Sequence, residues 1–176
     1  TGYCMGGAIS LTAAGTYPDR IAAAASFHGG NLATDSPMSP HLLAPKMKGF
    51  IYVAGGWQLD GSHKLFIYDV ANDTWSAGAN LPRNVVGPAM GALGGKVYLI
   101  GGDDDVFPGR TSNEVDIYDI ASDTWTTTGA PMPTAVTMAG WTQAGQYVYV
   151  VGGFTAGVPV NWTVTQRYDM STNTWV

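Results

Sequence analysis

Apolar positions along this chain fall into short runs that recur. IYVAGG at 51–56, VYLIGG at 97–102 and VYVVGG at 148–153 share one pattern. IYDVANDTW at 67–75, IYDIASDTW at 117–125 and RYDMSTNTW at 167–175 share a second. Tyr68, Tyr118 and Tyr168 stand 50 residues apart, as do Trp75, Trp125 and Trp175. Runs this short, rich in Val, Ile and Tyr and closed by Gly pairs or Asp/Asn-containing turns, predict strands rather than helices. NEVDIYDI alternates polar and apolar residues, as a strand between two neighbours should. Gly94–Gly95 suits a two-residue hairpin turn. Gly101–Gly102 ends the next strand where a side chain would obstruct neighbouring backbone. In DIASDTW, Asp and Ser can bond nearby amides and close a turn.

The first 50 residues read differently. Ala8, Ile9, Leu11, Thr12 and Ala13 lie in a helix-compatible run that Pro18 cannot continue. RIAAAASFHGG reads as a short buried strand, NLATDSPMSPHLLAPKMKG as a loop, and FIYVAG as the next buried strand. Helix, strand, connection, strand is half of a doubly wound sheet. FIYVAG therefore carries two readings at once: a parallel strand of an α/β domain, or the second strand of the first repeat.

Composition sharpens the division. All six Trp lie after residue 50, and the only Cys, Cys4, lies before it. Charged residues make up 12% and hydrophobic ones 45%, which places the chain among globular proteins. The eight Lys and Arg are scattered, so nucleic acid is not an expected partner, and no apolar run is long enough to span a membrane. A single Cys excludes an internal disulfide. The chain starts at Thr1, inside a motif, and reads as a fragment.

A strand-only repeat of about 50 residues is the period of propeller blades, each a four-stranded antiparallel sheet. The Gly–Gly, Tyr–Asp and Thr–Trp motifs over residues 51–176 resemble the kelch family. The expected fold is mainly β: a partial kelch β-propeller of two to three blades (about 51–80, 84–130 and 134–176) after a short α/β segment at 1–50. Tyr118 and Trp125 are expected to face the next blade. The first blade lacks an inner strand. LPRN carries the Arg usual in the family at Arg83, whereas MPTA at 132–135 does not. The resemblance implies loops that bind a protein or a carbohydrate, and an incomplete array implies self-association through open blade edges. The copper chemistry of galactose oxidase-like propellers needs a Tyr–Cys crosslink and His ligands. Residues 51–176 have no Cys and only His63, so no cofactor is expected.

GYCMG, Gly2 to Gly6, fits a strand–turn–helix nucleophile elbow with Cys in the Ser position. A helix starting after Cys4 favours its thiolate, and the N–H of Met5 is the candidate oxyanion donor. Residues 1 to about 54 resemble the dienelactone hydrolase family, α/β-hydrolases with a Cys nucleophile, an Asp and a His. The resemblance implies ester or lactone hydrolysis with Cys4 as nucleophile. Asp60 is the candidate acid, in a context that equally reads as a kelch loop. No His follows His63, which lies three residues from Asp60; His28 matches a family position outside the triad. The catalytic set is incomplete, so the interaction-module reading leads and the Cys-dependent hydrolase is its alternative. The hydrolase part suggests the cytoplasm; the kelch part is compatible with secretion.

Two smaller signals remain. GGDDDVFPG groups three Asp, as a calcium loop would, without the usual ligand alternation, and reads as a solvated loop. NDT at 72–74 and NWT at 161–163 are glycosylation sequons, relevant only in a secretory pathway.

Overall fold

The computed structural model describes residues 2–3, 5–17, 26–27, 34–39, 43, 49–56, 63–104, 109–158 and 162–176. Among them the chain is mainly β, and it divides into two compact units. One comprises Thr1–Val53 and Phe66–Ala77, the other Ala54–Leu65 and Gly78–Val176.

In the first unit, strand β1 (Gly2–Tyr3) is followed after one residue by helix α1 (Met5–Thr16). The helix stops two residues before Pro18, which can neither donate to it nor fit its last turn. Thr16 Oγ1 bonds back to Thr12 O at 2.7 Å and Tyr17 N to Ala13 O at 2.9 Å. Ala14 is buried, and Gly15 lets the helix press on buried Leu43: a Cβ there would lie 2.4 Å from Leu43 Cβ. β1 pairs in parallel with β2 (Ser26–Phe27), Gly2 opposite Ser26.

β3 (Phe50–Ala54) does not continue that parallel pair. It joins β4 (Leu65–Asp69) and β5 (Thr74–Ala77) in a separate sheet of order β3-β4-β5. Phe50 is 55% exposed and Val53 is exposed too, so β3 is not the fully buried strand expected of a doubly wound sheet. The blade reading of FIYVA holds. Its partner is the next strand in sequence, so no crossover helix is needed.

The second unit holds two four-stranded antiparallel sheets whose strand order follows the sequence. The first is β6 (Ala89–Leu93), β7 (Lys96–Ile100), β8 (Val115–Asp119) and β9 (Thr124–Thr126). The second is β10 (Gly140–Ala144), β11 (Tyr147–Val151), β12 (Thr165–Asp169) and β13 (Thr174–Trp175). Gly94 and Gly95 take φ of 59° and 75° between the paired residues Leu93 and Lys96, as a two-residue turn requires. Gly102 has φ 88°, and a Cβ there would lie 2.8 Å from Val86 O. Val97, Leu99, Val115 and Tyr118 in one blade, and Val148, Val150 and Tyr168 in the next, form the buried centre.

The two blades meet face to face and are also tied by main-chain bonds. Gly91 leaves room for Val148 and Met170, and Tyr98 Oη donates to Met170 O at 3.2 Å. Gln143 holds both backbone groups of Ala92, accepting its N–H at 2.9 Å and donating to its carbonyl at 2.8 Å. The connection from each outer strand to the following blade is held in the same way. Ala79 N donates to Asp123 Oδ1 at 2.7 Å, and Trp125 Nε1 donates to Ala79 O at 2.9 Å. One repeat later Ala130 N donates to Asn173 Oδ1, and Trp175 Nε1 to Ala130 O at 2.8 Å. Tyr118 Oη and Tyr168 Oη bond the same Asp123 and Asn173 oxygens at 2.7 and 2.6 Å. Each Tyr packs against its own Trp, with ring centroids 5.1 Å apart. The aromatic pair was expected to face the next blade. Each Tyr meets its own Trp within the blade, the Tyr168 ring also meets Tyr98 of the preceding blade edge to face at 6.0 Å, and the polar atoms of both pairs reach back to the preceding connection, because an indole N–H half removed from water needs an acceptor.

The turn before each outer strand is closed by Asp69, Asp119 or Asp169, whose Oδ1 accepts the N–H groups two and three residues on. All three carboxyls sit below their ordinary range. The leading causes are the Asn72 side chain for Asp69, the Lys96 ammonium for Asp119 and the Ser171 hydroxyl for Asp169, which falls to about 2. A carboxyl depressed in the folded state adds stability above its unfolded value near about 4, and that stability fades as pH falls toward the folded value. The melting temperature should therefore drop as pH falls from about 4 to about 2, and Asp169→Asn should flatten that dependence in a pH series of thermal melts.

Candidate functional site

Cys4 and Asp60 lie outside the described residues, as does His28. Met5 is the first residue of α1, with β1 ending two residues before it. His63 is described; its carbonyl accepts the Leu81 N–H at 2.9 Å. Among the described residues no three His, Cys, Asp or Glu are grouped to hold a metal ion. The described structure therefore brings none of the candidate catalytic residues together.

What it does bring together is one edge of the two blades in the second unit. Ala89 pairs with Ile100 and Gly140 with Val151. The connection into each first strand and the connection from second to third strand thus leave the sheet on the same side. Short bridges extend this edge: Val86 to Asp103, Asp103 to Thr111, and Thr137 to Phe154. Asp103 is buried, which raises its carboxyl, and its Oδ1 accepts Thr111 Oγ1 at 2.7 Å. Thr111 Oγ1 in turn accepts Ala156 N from the next blade at 2.7 Å. Asp104 holds Arg110 through Nε at 2.7 Å and N at 3.0 Å. The stretch GGDDDVFPG is therefore not simply a solvated loop: its first Asp is a buried tie between blades and its second is ion-paired. Thr155 Oγ1 donates to Ala135 O and accepts Trp162 Nε1.

On this braced edge the described apolar side chains that face water include Val151, 48% exposed, and two on the connections. Met138 is 44% exposed and Val158 39%. Met138 has φ 48°, in the left-handed region; the equivalent residue one blade earlier is Gly87, with φ 63°. Its N–H donates to Gly87 O at 2.9 Å, and its Cγ would sit 2.8 Å from a Cβ on that glycine. A non-Gly residue held there costs about 1 kcal/mol or more. The sequence reading missed Met138; superposing VVGP (85–88) on VTMA (136–139) exposes it as the one residue standing where its repeat has Gly.

Arg83 has a different part. Its Nε lies 2.9 Å from Asp116 Oδ2 and 3.1 Å from Glu114 Oε2, and Nη2 donates to Gly101 O at 2.9 Å. Asp116 is fully buried and also accepts Thr127 Oγ1 at 2.8 Å. Burial outweighs Arg83 and raises the Asp116 carboxyl. The following blade has Thr134 for Arg83 and Gln166 for Asp116. There Thr134 N donates to Gln166 Oε1 at 2.7 Å, and Gln166 Nε2 donates to Thr134 O at 3.0 Å. The missing Arg of MPTA is thus matched by a neutral partner on the third strand. Arg83→Thr alone should destabilise the fold by roughly 3 kcal/mol, because it strands a buried carboxylate. Adding Asp116→Gln should recover most of that loss in denaturant titrations.

No curated protein matches the chain. Residues 1–65 match the Dienelactone hydrolase family, and residues 85–132 match the Kelch motif. The solved structure of YjhT superposes with a TM-score of 0.60 at 18% identity, over 72% of this chain and 47% of that one. The chain thus spans about half the length of that structure, and the likeness speaks to fold. The strand order, the Gly–Gly and Tyr–Asp–Trp motifs and these matches agree: the chain is similar to the dienelactone hydrolase family over its first 65 residues and to kelch-repeat β-propellers beyond them.

Proposed function

We propose that this chain is an interaction module of kelch type that binds a protein through the loop edge of its second unit. The observation that carries the reading is Met138. Folding alone favours glycine at that position, as in the preceding blade, so a strained and exposed Met gains its value outside folding. A flexible thioether, on an edge that also exposes Val158 and is braced by Thr111, Asp103 and Thr155, suits an apolar protein contact. A carbohydrate would call for an open aromatic face; Trp162, on the same edge, is half-buried with its indole N–H bonded to Thr155. The organisation that goes with this reading is a hydrolase-like segment at 1–50 and a kelch array at 51–176. Self-association through open blade edges is part of the same reading.

Met138→Gly should raise the melting temperature while weakening the captured partner at least tenfold, the equivalent of about 1.4 kcal/mol. Equal binding by wild type and Met138→Gly in a quantitative pull-down would remove the site.

The match of residues 1–65 to hydrolases favours a second reading, Cys-dependent ester or lactone hydrolysis. In it Cys4 is the nucleophile, the Met5 N–H at the start of α1 supports the oxyanion, and Asp60 is the acid. An aryl-ester assay on wild type and Cys4→Ala tests it. Turnover lost in the variant establishes the hydrolase; equal rates in both dismiss it.

A further inference from the structure

One position on the loop edge breaks the pattern of the repeats with an ionisable group. After the Gly–Gly pair the first repeat has Trp57 and the third Phe154, whereas the second has Asp103. The backbone does not distinguish Asp103 from Phe154. Asp103 exchanges main-chain bonds with Val86, both at 2.9 Å, and Phe154 does so with Thr137, at 2.9 and 3.2 Å. The fold of a blade thus does not call for a carboxyl here, and burying one is costly. Asp103 is nonetheless only 2% exposed.

Its side chain acts across the blades. Asp103 Oδ1 accepts Thr111 Oγ1 at 2.7 Å, and the same hydroxyl oxygen accepts the Ala156 N–H at 2.7 Å. One hydroxyl therefore couples an ionisable group of one blade to the backbone of the next. We infer that Asp103, Thr111 and Ala156 form a proton-controlled joint in the loop edge, closed when Asp103 holds a proton and loosened when it gives the proton up.

The surrounding charges set the direction. Burial raises the Asp103 carboxyl, the Thr111 bond offsets part of that rise, and the charge of Asp104 adds to it. Arg110, next to Thr111 in the chain, gives its Nε and its main-chain N–H to Asp104. Glu114 and Asp116 share Arg83. Residues 85–88 and 154–157, the segments bonded to the joint, carry no ionisable side chain. Oδ1 is taken by Thr111, so the proton enters at Oδ2. Opening toward water relieves the ionised form and gains little for the neutral one. The joint therefore weakens as pH rises from the ordinary aspartate value near about 4 through the raised value, and stays weak above it. That sign is opposite to the one for Asp69, Asp119 and Asp169, whose carboxyls are lowered in the fold. The joint needs no partner, so it can fail while Met138 stands as a contact, and Met138 can fail while the joint stands.

The test is a pH titration of the whole ¹³C,¹⁵N-labelled chain, with the Ala156 amide assigned from triple-resonance spectra. The Ala156 shift should titrate with a midpoint above about 4. Its hydrogen exchange, corrected for the intrinsic pH dependence, should be slower below that midpoint than above it. The expected factor is about tenfold for each pH unit by which the midpoint exceeds the ordinary value. Asp103→Asn, a neutral side chain of the same shape, should remove the titration and keep the slow exchange on both sides of the midpoint. Thr111→Val should silence Ala156 while the side-chain carbon of Asp103 still titrates, which decides the matter if Asp103→Asn does not fold. An Ala156 shift that is flat above about 4 overturns the inference. So does a titration at Ala156 that survives either substitution, and so does exchange that quickens below the midpoint.

Discussion

Backbone groups that leave a sheet must find partners, and in this chain that constraint falls hardest on the connections between blades. Each connection turns away from an outer strand with its own N–H and C=O groups no longer in a ladder. The solution is a single grip on one alanine, with a turn carboxylate or amide on its N–H and an indole on its carbonyl. Much else follows. The accepting residue must bulge into positive φ, which Asp and Asn tolerate better than most residues. A Tyr must stand behind it, and a Trp must lie over that Tyr with its N–H outward. The motif Tyr–Asp, four residues, Thr–Trp is the sequence image of that arrangement.

A second level of organisation lies in how the repeats differ. Where one blade has an Arg–Asp pair around a buried carboxylate, the next has a Thr backbone and a Gln amide. The two solutions share the same position and avoid the same fault, an unpaired polar group in the core. Where one blade has glycine at a left-handed position, the next has an exposed methionine. The first difference is compensated within the fold. The second is not, which is why the functional reading rests on it.

The strands and turns were legible in the sequence because their signals are local: two-residue alternation, Gly pairs at positive φ, and Asp turns. The three-way echo of Gly–Gly and Tyr–Asp–Trp made the period plain. FIYVA was legible only as an ambiguity, since a short apolar run suits a parallel or an antiparallel neighbour equally. Pairing with β4 resolved it. The Trp–alanine grip was out of reach, because it joins an indole to a main-chain carbonyl about 46 residues away, and any residue supplies a carbonyl. The burial of Asp103 was hidden for a similar reason: its partner Thr111 lies across a loop, and three consecutive Asp look like solvated charge. Of the hydrolase-like segment, the strand and helix on either side of Cys4 are seen, and Cys4 and Asp60 themselves fall outside the described residues.

Amide hydrogen exchange at Ala79 and Ala130 tests the central claim most directly. If this grip joins the blades, both amides should exchange as slowly as those of the third strands β8 and β12, through opening of the whole unit. If the connections merely lie alongside the blades, both amides will exchange at the rate of an exposed loop residue such as Thr163, and the account of how the repeats are joined is wrong.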